Sequence, residues 1–175
     1  LILLLATCIT PLKGAKGAGI DDLTYDASGA GVIITDCDTA ASGELVIPDT
    51  IEGKPVISIG DRAFLGCIGI TRVTIPSSVR TIEPLAFSSC RGITRVTIPN
   101  GVRSIGRKAF EDCASITSVS IPDSVESIGQ DAFQGCESVE IVSIGSGVVS
   151  WGDSAFNRNS SLQNLTINEG VSCIG

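Results

Sequence analysis

The sequence predicts a solenoid, a stack of near-identical coils built mostly from short parallel β-strands joined by short helical or 3-10 turns. Three observations carry this. Residues 70–90, ITRVTIPSSVRTIEPLAFSSC, return 23 residues later as ITRVTIPNGVRSIGRKAFEDC and again as ITSVSIPDSVESIGQDAFQGC. All five phenylalanines keep that beat, at Phe64, Phe87, Phe110, Phe133 and Phe156. Four of the seven cysteines keep it too, at Cys67, Cys90, Cys113 and Cys136. A fixed period of this length means stacked supersecondary units sharing one core.

The chain of 175 residues opens with LILLLATCIT, an apolar run too short to span a bilayer as a helix. With the small residues of PLKGAKGAG behind it, residues 1–19 read as a partial secretory signal peptide. Residues 5–8 also resemble an imperfect lipobox that would lipidate Cys8. Thr7 suits that poorly, so simple cleavage is preferred. The competing reading of this run is a buried N-terminal strand. Residues 20–44 alternate around Leu23 and Tyr25, turn at Ser28-Gly29-Ala30-Gly31 and continue as Val32-Ile33-Ile34. They are expected to form a β-hairpin that caps the first coil, since an uncapped coil exposes its apolar face.

The repeats occupy residues 45–175. The first carries five extra residues between Ile51 and Ile59, which places Gly53-Lys54-Pro55 in a surface loop. Beyond it, columns are read by adding 23. Val73, Val96, Val119, Val142 and Leu165 form one, and Ile75, Ile98, Ile121, Ile144 and Ile167 another. Val-x-Ile alternation makes these the inward positions of a strand that Pro76 ends. Six such strands would form one sheet about 24 Å wide. Val79-x-x-Ile82-Gly predicts a second extended segment, and Ala-Phe-x-x-Cys a single tight turn. The sequence stops at Gly175 in mid-repeat. This is expected to mark a truncated solenoid with its C-terminal cap missing, prone to end-to-end self-association there.

The pattern Leu/Ile-x-x-Val-x-Ile-Pro-x-x-Val-x-x-Ile-Gly-x-x-Ala-Phe-x-x-Cys resembles the BspA-type leucine-rich repeat of bacterial surface proteins, across roughly residues 21–175. The resemblance implies a right-handed leucine-rich-repeat solenoid, and extracellular or cell-surface recognition and adhesion. Trp151, Asn159 and the Pro84-Leu85 pair depart from the pattern.

Residue chemistry argues against catalysis. There is no His. The acid pairs Asp21-Asp22, Asp36-x-Asp38 and Glu111-Asp112 sit in loop-like sequence, without the desolvated partner that carboxylate catalysis needs. The cysteines are spaced by the repeat and not as metal ligands, so no metal site and no cofactor is expected. The Cys and Phe columns read as core, with free, buried thiols. The states of Cys37 and Cys173, outside the column, stay open.

Function is then expected on the outward strand positions. One outward column is Thr74, Thr97, Ser120, Ser143 and Thr166. The other is Arg72, Arg95, Ser118, Ile141 and Asn164. The formal charge is −7, which excludes a general nucleic-acid binder. Yet residues 72–108 hold seven basic side chains against one acidic. Residues 20–71 hold two against nine, and residues 109–175 one against nine. Arg72 should lie beside Arg95, and Arg80 beside Arg103, with Arg103 compensated by Glu126. Like charges opposed on a sheet are unfavourable. The candidate binding residues are therefore Arg72, Arg95, Thr74, Thr97, Arg80 and Arg103, and the candidate partner is an extracellular protein or anionic glycan. The alternative is a structural spacer or display stalk within a larger surface protein or enzyme.

Overall fold

The computed structural model describes residues 18–171. The leader-like run, Cys8 and Cys173 lie outside them. The described residues form a solenoid of stacked coils with almost no helix. A 3-10 turn at Ile20–Asp22 leads into β1 (Leu23–Asp26) and β2 (Val32–Cys37), an antiparallel pair. Then come β3 (Gly43–Val46), β4 (Thr50–Ile51) and β5 (Lys54–Ile59). Each later coil contributes two strands. They are β6 (Ile70–Thr74) and β7 (Thr81–Ile82), β8 (Arg95–Thr97) and β9 (Ser104–Ile105), β10 (Ser118–Ile121) and β11 (Ser127–Ile128), and β12 (Ile141–Ile144) and β13 (Ser150–Trp151). The last is β14 (Asn164–Ile167).

One sheet runs in the order β1-β2-β5-β7-β9-β11-β13. Its β2 pairs parallel with β5, so the second arm of the hairpin serves as the first rung. On the Val-x-Ile face the outcome differs from the single sheet expected. β3-β6-β8 and β10-β12-β14 are two separate three-stranded sheets, parted between β8 and β10. Nothing in the local packing explains the parting.

The five-residue insertion is more ordered than a loop. β4 and β5 form a tight antiparallel hairpin, Thr50 opposite Pro55 and Ile51 opposite Lys54. Glu52 and Gly53 turn it with φ of 52° and 75°, the left-handed pair found in the type I′ turns that commonly close two-residue hairpins. This hairpin braces the first one. The Tyr25 hydroxyl donates to Glu52 Oε1 at 3.1 Å, and Lys54 Nζ donates to the Ala27 carbonyl.

The inward columns fill the core as the period requires. Val73, Ile75, Val79, Ile82, Ala86, Phe87, Cys90 and Ile93 are all buried, and their counterparts one coil on are too. The phenylalanines form a continuous stack with ring centroids 4.8, 5.1, 5.0 and 5.0 Å apart and planes within 7° of parallel. Trp151, which replaces a column isoleucine, meets Phe156 edge-on at 5.7 Å.

The Ala-Phe corner carries the tight-turn bonds expected, but in alternation. Ala63, Leu65 and Cys67 donate their N–H groups three residues back within the coil. Arg62, Phe64 and Gly66 donate instead to Pro84, Ala86 and Ser88 of the following coil. Two left-handed residues per coil make this alternation. One column is Arg62, Leu85, Lys108, Asp131 and Ser154, and the other is Gly66, Ser89, Asp112, Gly135 and Arg158. Flanking the strands, coil-to-coil bonds run the opposite way. Thr94 donates back to Thr71, Arg103 to Arg80 and Gly106 to Ile82.

Candidate binding face

Alternation on β6 and β8 buries Val73 and Val96 and turns Arg72, Thr74, Arg95 and Thr97 to solvent. The register places Arg72 opposite Arg95 and Thr74 opposite Thr97. Ser118 and Ser120 continue the two columns on β10, beyond the parting. There the rungs couple through hydroxyls, Ser143 Oγ donating to Ser120 Oγ at 3.1 Å.

The four candidate arginines have different surroundings. Arg72 Nη1 lies 3.7 Å from Glu44 Oε1, both side chains about half exposed. Glu44 stands opposite Arg72 because β3 pairs with β6 past a register shift at Gly43. The outward column therefore begins with an acid, a neighbour that adding 23 cannot find. Counting the five inserted residues as well would have found it. Arg80 is turned onto the backbone, its Nη1 donating to the carbonyls of Ser77 at 2.8 Å and Val79 at 3.3 Å in its own coil and of Gly101 at 3.5 Å in the next. Arg103 meets Glu126 at 2.5 Å. Among the described residues, Arg95 has neither an ion pair nor a side-chain hydrogen bond.

Three of the six paired acids serve the backbone. Asp22 accepts from the Gly19 N–H at 2.9 Å, Asp36 from Cys37 at 2.8 Å and Asp38 from Ala40 at 2.8 Å. Glu111 holds Lys108 at 2.6 Å. Among the described residues no group of three or more Cys, Asp or Glu could hold a metal ion.

The five described cysteines are free and buried. They are more than filler. Cys90, Cys113 and Cys136 each donate to the carbonyl of the phenylalanine one coil earlier, at 2.8, 3.1 and 3.3 Å. Burial pushes Cys90 and Cys136 up to about 12 and Cys113 well above its ordinary value. The hydrogen bond that Cys37 shares with Cys67, and then burial, hold the Cys37 thiol above its usual range. Asn159 occupies the same column in the last corner, where its amide atoms are shielded from solvent and unbonded.

Between β8 and β10 the outward face holds a cleft of about 320 Å³. It is lined by Arg95, Val96, Thr97, Ile98, Ser118 and Ser120. Hydrophobic patterning gives no sign of it, because the core residues of both strands obey the repeat.

Comparison with known proteins agrees with this architecture. A family model for the BspA type leucine rich repeat region matches residues 57–175 in six copies. The T. pallidum leucine-rich repeat protein is 34% identical with a TM-score of 0.78, over 84% of this chain and 69% of that one. A leucine-rich repeat protein from Bacteroides ovatus is 32% identical with a TM-score of 0.71, over 84% of this chain and 40% of its own length. One from Bacteroides capillosus is 28% identical with a TM-score of 0.61, over 69% of this chain and 92% of its own. No curated protein matches the sequence. No helix among the described residues is long and apolar enough to cross a membrane. The chain belongs to the BspA-type leucine-rich repeat family.

Proposed function

We propose that the chain is a non-catalytic binding module, displayed outside the cell, that adheres to an anionic extracellular surface through its outward strand face. The observation that carries this reading is the rigid row of exposed Arg72, Thr74, Arg95 and Thr97 in direct cross-strand register. A sheet locked by its aliphatic core presents these groups without loop ordering, so little conformational entropy is lost on binding. Family membership and the export-like start of the sequence support the extracellular placement. The opposed arginines support an anionic partner, since such a partner relieves their repulsion.

The test is binding to immobilised extracellular matrix proteins and acidic glycans across a salt series. Affinity is expected to fall with salt, and Arg72→Ala combined with Arg95→Ala is expected to weaken it by about tenfold or more. Salt-independent binding, or an unchanged affinity in the double variant, contradicts the reading. Absence of any binding favours the display-stalk alternative.

A further inference from the structure

Of the four candidate arginines, the one with no partner among the described residues stands where the sheet opens. Arg95 lines the cleft between β8 and β10, while Arg72, Arg80 and Arg103 are engaged with Glu44, backbone carbonyls and Glu126. The opening is confined to β8 and β10 themselves, since just before them on the same face the Thr117 N–H still donates to the Thr94 carbonyl at 3.3 Å. Behind it the same two coils stay joined, Ser104 pairing with Ser127 and Ile105 with Ile128 on β9 and β11. At the corner Phe110 donates to the Ala132 carbonyl at 2.7 Å. The cleft is thus a fixed slot with an apolar floor, where Val96 and Ile98 are 7% and 6% exposed.

Its walls hydrogen-bond in both directions. The facing edges of β8 and β10 share no ladder, and the hydroxyl-bearing Thr97, Ser118 and Ser120 line the slot between them. One planar guanidinium matches one carboxylate, in a bidentate pair. The remaining groups match a ring of hydroxyls that donate and accept. A densely sulfated chain would instead call for a row of unengaged cations, which three of these four arginines do not supply. The volume lies near the small end of the ~300–1,000 Å³ range of ligand sites, the scale of a sugar ring.

We propose that this cleft binds a hexuronate residue of an acidic glycan, its carboxylate on Arg95 and its hydroxyls on Thr97, Ser118 and Ser120. The proposal rests on the outward strand face being a binding surface. The probe is a galacturonate tetramer, titrated by calorimetry into the full chain beside a neutral galactose tetramer. Saturable binding is expected for the acidic tetramer alone. Arg95→Ala should weaken it about tenfold or more, the value of a charge-assisted bond. Arg95→Lys and the pair Ser118→Ala with Ser120→Ala should weaken it several-fold, and a substitution of the exposed Arg107 outside the cleft, Arg107→Ala, by less than about twofold, with unfolding transitions unchanged in all.

Equal binding of the neutral tetramer overturns the proposal, as does an Arg107→Ala loss equal to that of Arg95→Ala, or no saturable binding of the acid. If the tetramer fails while an immobilised matrix protein is still bound in a manner that depends on Arg72 and Arg95, the cleft assignment falls and the binding face stands. If both fail, both fall.

Discussion

At the scale of the residue, the cysteine column stabilises the fold only as long as the thiols stay protonated. Cys90 and Cys136 are raised from 9.0 to about 12 by burial, while in the unfolded chain they ionise near their ordinary value. The neutral form is the folded form, so the stability they contribute is complete below about pH 9 and is lost as pH rises toward 12. Each thiol should cost about 1.4 kcal/mol per pH unit across that window. Denaturation midpoints recorded between pH 8 and 12 should fall steeply, and less steeply in Cys90→Ala with Cys136→Ala. Identical pH slopes in the two proteins would count against a protonated column. The sequence makes the burial of these thiols plain, because the column repeats with the core. It does not reveal their bonds to the phenylalanine carbonyls, which depend on where a neighbouring coil places its backbone.

At the scale of the element, the corner is set by backbone handedness more than by side chains. Gly66 has φ of 71° with open space around a would-be Cβ, so Gly66→Ala is a purely conformational change. It should destabilise by about 1–2 kcal/mol, the cost of a left-handed L-residue. Ser89 holds the equivalent place at φ 60°, so Ser89→Gly should move the urea midpoint in the opposite direction. If both substitutions shift the midpoint the same way, handedness does not govern the corner. The first of these columns was illegible because Arg62, Leu85 and Lys108 are not residue types that signal a left-handed turn, whereas Gly66 and Gly135 in the second are. The strands were legible because a buried Val or Ile must recur wherever the stack repeats. The Glu44–Arg72 neighbour and the parting of β8 from β10 were not. The first depends on how an insertion is absorbed, and the second leaves the apolar pattern untouched.

At the scale of the whole molecule, Trp151, Phe156, Leu165 and Ile167 border an open cavity of about 560 Å³ at the last described coil. Leu165 holds an inward column position and is 51% exposed. Apolar surface of this kind is covered by stacking, so the 175-residue chain is expected to self-associate through this end. Sedimentation velocity over a hundredfold concentration range should show a rising weight-average coefficient, and Leu165→Lys should suppress it. A concentration-independent monomer would contradict this.

The opposed directions of the coil-to-coil bonds have an electrical consequence. An α-helix aligns all of its amides and so develops partial charges at its two ends. Here the corner amides of Arg62, Phe64 and Gly66 point toward the following coil, while those of Thr94, Arg103 and Gly106 point toward the preceding one. The two sets of dipoles oppose each other along the axis, and lengthening the stack adds to both. The backbone therefore gives an approaching ligand little axial potential to follow. The long-range field belongs to ionised side chains, and the strip from residue 72 to residue 108 is its positive pole.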